Sequence, residues 1–162
     1  EARRAGRHTE GEEERMRDVE LANDGRRVVV IAVERGEEAV AAVNEVARRR
    51  GIRAAQVTAV GGFQNAEVGY FDREARDYLP IPVSEQVEVL SLVGDIAEVN
   101  GEPALHVHAV LGRRDGSTVG GHLRRGEVWP TLEVIVAEVA VELAKRVDPE
   151  TGVALLTGSA RT

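Results

Sequence analysis

The chain has 162 residues, no cysteine, and a formal charge of −7 from 28 acidic and 21 Lys or Arg side chains. That length can bury a core without disulfides or a structural metal, and the missing thiols exclude a disulfide framework and a thiolate zinc site. The acidic balance argues against a non-specific nucleic-acid binder, and no apolar run reaches the ~20 residues of a membrane span, so a single-domain, soluble, cytoplasmic protein is expected.

Residues 1–15 are charged and nearly free of large apolar side chains, which predicts a disordered extension ahead of a domain spanning 16–158. An edge strand over Arg17 to Leu21 should turn through Asn23-Asp24-Gly25 into Arg27 to Val33, branched and apolar enough for a buried strand. The period then changes. After Gly36, Val40, Val43, Val46 and Ala47 make one apolar stripe of a helix, with arginines in its last turn and Gly51 as its stop. Ala54 to Val60 and Ala66 to Phe71 read as strands around a Gly61-Gly62 bend, followed by a polar segment from Asp72 to Asp77. Val87 to Val99 reads as a long strand, with a bulge or bend expected at Gly94. Asn100-Gly101 is the strongest hairpin signal in the chain and leads to a strand over Ala104 to Gly112. Val128 to Glu142 fits helix or strand by period, and its Val and Ile density favours strand. A turn over Asp148 to Gly152 precedes a short final strand from Val153 to Leu156.

Three of the four histidines fall between Leu105 and Ala137; the fourth, His8, lies in the polar tail. His106 and His108 are two apart on a predicted strand, so both imidazoles leave the same face. The Asp115-Gly116 turn and the Gly120-Gly121 pair can bring His122 back beside them. Imidazole is a ligand for divalent transition metals, zinc first and iron or nickel next, and three nitrogens leave a position open for water, a carboxylate or a small ligand. Glu133 is the expected added ligand, because it shares a strand face with Thr131, Ile135 and Ala137, where a lone carboxylate is costly unless paired, ligating or at an interface. The competing reading makes the histidines ordinary hydrogen-bonding residues beside a subunit contact.

The run from Val87 to Gly94, then LHVHAVLGRRDGSTVGGHL and TLEVIVAEV, resembles the PPC domain, the plant and prokaryote conserved domain. The resemblance extends from Val28 to Leu156 and takes in the ERGEEAV helix entry, GGFQNAEVGYFD and DPETGVALL. It implies a compact α/β (α+β) domain with a mostly antiparallel sheet and packed helices, assembled as a homotrimer through the sheet. Plant members carry an Arg-Gly-Arg-Pro AT-hook ahead of the domain, whereas this chain has Arg3-Arg4-Ala5-Gly6-Arg7 without the proline. Its histidines are similar to those of stand-alone prokaryotic members, some of which look able to hold a transition metal.

Other features have simpler readings. Ser117 and Thr118 lack the glycine pattern of a nucleophile elbow and read as turn residues. Gly61-Gly62 lacks the pattern of a phosphate loop, and Gln64 and Asn65 read as partners for loop backbone. Arg48, Arg49, Arg50 and Arg53 cluster at a helix C-terminus, and Arg113, Arg114, Arg124 and Arg125 flank turns near the histidines, but the few aromatics leave little for base stacking. The sequence thus predicts a trimeric binding module, regulatory and non-enzymatic, with a histidine-lined metal or small-ligand site. A DNA-binding regulator and a metal-dependent enzyme using Glu133 as ligand or general base are the alternatives.

Overall fold

The computed structural model describes residues 17–23 and 26–158; the predicted extension and the Asp24-Gly25 part of the first turn lie outside the described residues. Ten elements follow in order: β1 (Arg17–Asn23), β2 (Arg26–Glu34), α1 (Ala39–Arg50), β3 (Ala55–Asp72), β4 (Asp77–Val83), β5 (Val87–Val99), β6 (Glu102–Gly112), β7 (Thr118–Glu138), β8 (Leu143–Val147) and β9 (Ala154–Gly158). All nine strands belong to one sheet, antiparallel except where β8 runs parallel to β5. α1 is the one helix among the described residues, and it packs on the sheet through Val43 and Val46.

Two long strands organise the sheet. β3 pairs with β5, β5 with β6, β6 with β7 and β7 with β3, so these four close into a circuit. Shifts in register along β3 between Ala59 and Gly61 and between Gly61 and Phe63 let it bend without ending, so the expected Gly61-Gly62 bend lies inside one continuous strand. A Cβ on Gly61 would stand 2.2 Å from the Thr131 carbonyl oxygen, and φ of 145° there also favours glycine.

Alternation decides which face is covered. Leu132, Val134 and Val136 of β7, Val29, Ile31 and Val33 of β2, and Val57 of β3 are buried in one cluster with Val43 and Val46 of α1. The helix starts at Glu38, whose carboxylate accepts from the N–H groups of Val40 and Ala41, and stops at Gly51 in the left-handed conformation. Asn44 accepts a hydrogen bond from the Leu105 N–H at 2.8 Å and so fastens the helix to the start of the histidine strand. The opposite sheet face leaves Val60, Val93, Val110 and Ile135 exposed in the single chain.

Three elements depart from the sequence reading. β4 has no counterpart in the sequence reading, which passes from the polar segment Asp72 to Asp77 to the strand at Val87; Tyr78 to Val83 pairs with β3 despite Pro80 and Pro82, because it lies at an edge where no further strand needs their missing N–H. β8 and β9 form a hairpin where only a final strand was expected. Gly94 is no bulge: Val93, Gly94 and Asp95 pair in unbroken register with His108, Val107 and His106. It is a close-approach position, since a Cβ there would lie 1.9 Å from the His106 carbonyl oxygen.

Candidate metal centre

The Asn100-Gly101 turn has both residues at positive φ, the conformation of a tight two-residue hairpin, and it sets the register of β5 against β6. That register places Asp95 opposite His106 and Val93 opposite His108. β7 then brings His122 directly opposite His108 on one side and opposite Gly69 of β3 on the other. The two glycines before His122 permit this: a Cβ on Gly120 would meet the Ala109 carbonyl oxygen at 2.9 Å, and one on Gly121 the Gly69 carbonyl oxygen at 2.6 Å.

The three imidazoles converge within one chain. Ring centroids are 5.4 Å apart for His106 and His108, 5.1 Å for His106 and His122, and 5.7 Å for His108 and His122. One nitrogen from each ring can be chosen so that all lie within 4.8 Å of one another. Tetrahedral bonds of ~2.1 Å ask for nitrogens ~3.4 Å apart, a difference that small side-chain rotations close. The donor set fits a divalent transition metal, and Nδ1 of His122 is buried without a hydrogen-bond partner.

Burial, followed by the nearby His106, His108, Arg124 and Lys145 charges, pushes the His122 imidazole down to about 4. Burial and Lys145 also lower His106, against the opposing pull of Asp95. Both rings are therefore neutral near pH 7, with lone pairs free to coordinate. Tyr78 of β4 stacks on His122 at 4.7 Å, and a cavity of about 280 Å³ opens beside His106 and His122. Phe71, Tyr78, Leu105 and Val153 give it apolar walls, and Lys145 of β8 contributes to its lining.

Glu133 does not join the histidines. It lies on the outer sheet face, as alternation predicts, but at the other end of β7, opposite Ala32 and Val60, where it is exposed. Its face is the one expected from its neighbours Leu132 and Val134, which are buried, and its distance along the 21-residue strand keeps it from the histidines. Tyr78, Asp95 and Lys145 were absent from that set of candidates although all three reach the histidines. The signal for Asp95 was present, since counting outward from the Asn100-Gly101 turn pairs it with His106.

Several other candidates have side-chain partners of their own. Ser117 Oγ donates to Asp115 at 2.6 Å within the turn, and Asn65 Nδ2 donates to Glu127 at 2.7 Å. Arg113 pairs with Glu85 at 2.9 Å, Arg124 with Glu67 at 3.1 Å, and Arg53 with Glu98. These acids divide the positive charge that a phosphate backbone would need.

Fold and site together define a class: a single mostly antiparallel α+β domain that carries a three-histidine cluster on the face opposite its helix. Solved structures of other proteins share this architecture. A metal-containing protein of Archaeoglobus fulgidus superposes with a TM-score of 0.76 at 32% identity, covering 81% of this chain and 93% of its own. A plant- and prokaryote-conserved protein of Pyrococcus horikoshii gives 0.77 at 28% identity, covering 87% and 100%. The chain belongs to the Plants and Prokaryotes Conserved (PCC) domain family, whose profile matches residues 21–140. It is also 29% identical over 135 residues to the bifunctional protein GlmU of a Synechococcus strain, where the match takes in 82% of this chain and 20% of that protein. The chain thus spans about a fifth of the length of this curated relative.

Proposed function

We propose that this chain is a binding module that assembles as a homotrimer and holds a divalent transition metal, zinc before iron or nickel, at His106, His108 and His122. The observation that carries the reading is the convergence of three imidazoles beside a cavity, two of them held neutral by burial. The metal-containing description of the Archaeoglobus relative supports it. Three nitrogens would leave a bound metal a position for water or a small ligand, and no added carboxylate ligand from the same chain is part of the reading. A regulatory role inside the cell suits a site that pairs a metal with a largely apolar pocket.

The trimer rests on the outer sheet face. Val60, Leu90, Val93, Val110 and Ile135 are exposed there, and Val93 stands directly across from His108, so the apolar face and the site are continuous. A second and third copy of the chain would cover it, as strands apolar on both faces require. The domain over 16–158 is the unit that assembles, with 1–15 as its extension.

The test is zinc titration by calorimetry of protein without a histidine tag, beside His108→Ala. The parent is expected to bind zinc tightly at one site per chain, and the variant to lose at least 100-fold in affinity while keeping the parent's circular dichroism. Equal affinity in the variant would refute the assignment.

A further inference from the structure

Behind His106 lies a charge pair that coordination alone does not use. Asp95, directly opposite His106 in the β5–β6 register, has Oδ2 3.6 Å from His106 Nδ1 and Oδ1 2.5 Å from Lys145 Nζ. Lys145 is the one charged residue that is buried among the described residues, with its side chain 5% exposed. Burying an ammonium is costly, and a surface position on the β8–β9 hairpin would avoid that cost. Both Lys145 Nζ and Asp95 Oδ1 are occluded from solvent, and neither forms an aligned hydrogen bond, so the pair is held by charge. The occlusion also rules the ammonium out as a direct anchor for a ligand in the cavity, although other atoms of Lys145 line it. What the pair does reach is the back of His106.

We propose that Asp95 and Lys145 are positioning residues for His106, a role that rests on reading the histidine cluster as a metal centre. A neutral imidazole carries one N–H, and the group beside one nitrogen decides which nitrogen keeps its lone pair. Asp95 draws the N–H to Nδ1 and leaves Nε2 to the metal, while Lys145 holds the carboxylate in place. Carboxylates behind ligating histidines act in this way at metal sites generally. Lys145 lies beyond the family-matched segment 21–140, so the closing hairpin, whose neighbouring residues Gly152 to Ala154 also wall the cavity, supplies the clamp for a site built by the other strands.

The test has two arms. Nitrogen-15 NMR of the metal-free protein near pH 8 is expected to show His106 mainly with its proton on Nδ1, against the Nε2–H preference of free imidazole side chains. The double variant Asp95→Asn with Lys145→Met, which removes both charges and keeps the volumes, is expected to shift His106 toward Nε2–H. Zinc titration is expected to show a ~10- to 100-fold weaker Kd in that variant and in Asp95→Ala, and near-parent affinity in Lys145→Arg, which keeps the charge. The proposal is overturned if metal-free parent holds His106 as Nε2–H, or if the double variant keeps both tautomer and affinity. A parent that bound no zinc would remove the metal reading instead, and the tautomer spectra, recorded without metal, would still decide whether Asp95 orients His106.

Discussion

Gly94→Ala tests whether the histidine geometry depends on how closely β5 and β6 approach. The added methyl would lie 1.9 Å from the His106 carbonyl oxygen and 2.7 Å from the Val107 Cα, both backbone atoms that no side-chain rotation can move. Ordinary contact lies at ~3.5 Å, so the strands must part locally by more than ~1 Å, enough to take hydrogen bonds of ~2.9 Å beyond useful range. Losing about two such bonds at ~1 kcal/mol each, with ~1–3 kcal/mol of overpacking strain, gives a destabilisation of about 3–5 kcal/mol. With a urea dependence of ~2 kcal/mol/M the midpoint should fall by roughly 2 M, compared at equal protein concentration because assembly contributes to stability. Since Val107 lies between His106 and His108, zinc affinity should fall with it. A variant within ~0.5 kcal/mol of the parent would show that the β5–β6 contact is looser than described and that Gly94 does not position the histidines.

Further outcomes follow from the same structure. His122 is held near pKa 4 in the fold and rises toward 6.5 when the chain unfolds, so the unfolded state binds more protons between those values. Stability of the metal-free protein should be complete above pH 6.5 and decline as pH falls toward 4, read as a lower urea midpoint at pH 5 than at pH 7.5; a midpoint unchanged or higher at pH 5 would contradict the burial of that ring. Ile135→Glu places a carboxylate on the exposed apolar face and should convert a trimer to monomer in light scattering without unfolding it, while a parent that is itself monomeric at micromolar concentration would remove the trimer. Random duplex DNA should bind no more tightly than ~10⁻⁴ to 10⁻⁶ M at physiological salt, and tight sequence-independent retardation would show that the arginines near the histidines act together.

Much of the site was legible because β-strands translate sequence into geometry with few free choices. His106 and His108 had to share a face by alternation, and Gly120-Gly121 marked the place where β7 needed room beside its neighbours. The Asn100-Gly101 turn fixed the pairing outward from itself, so Asp95 beside His106 was also within reach. Glu133 stands apart for the converse reason: alternation reports the face of a residue and says nothing of its position along a strand, and β7 continues through Pro130 from His122 to Glu133, with a shift of register at Arg124 that returns both to the outer face. β4 was hidden by Pro80 and Pro82, which argue against a central strand and are tolerated at this edge. Lys145 had no local signal at all, since a short parallel pairing of β8 with β5 delivers it to Asp95.

Metal content of protein purified without a histidine tag, measured by mass spectrometry of the elements against chain concentration, tests the three-histidine centre most directly. Close to one divalent transition metal per chain is expected after incubation with zinc and removal of excess, falling to background in His108→Ala. A parent at background after the same incubation would contradict it and return the three histidines to hydrogen-bonding roles within the sheet.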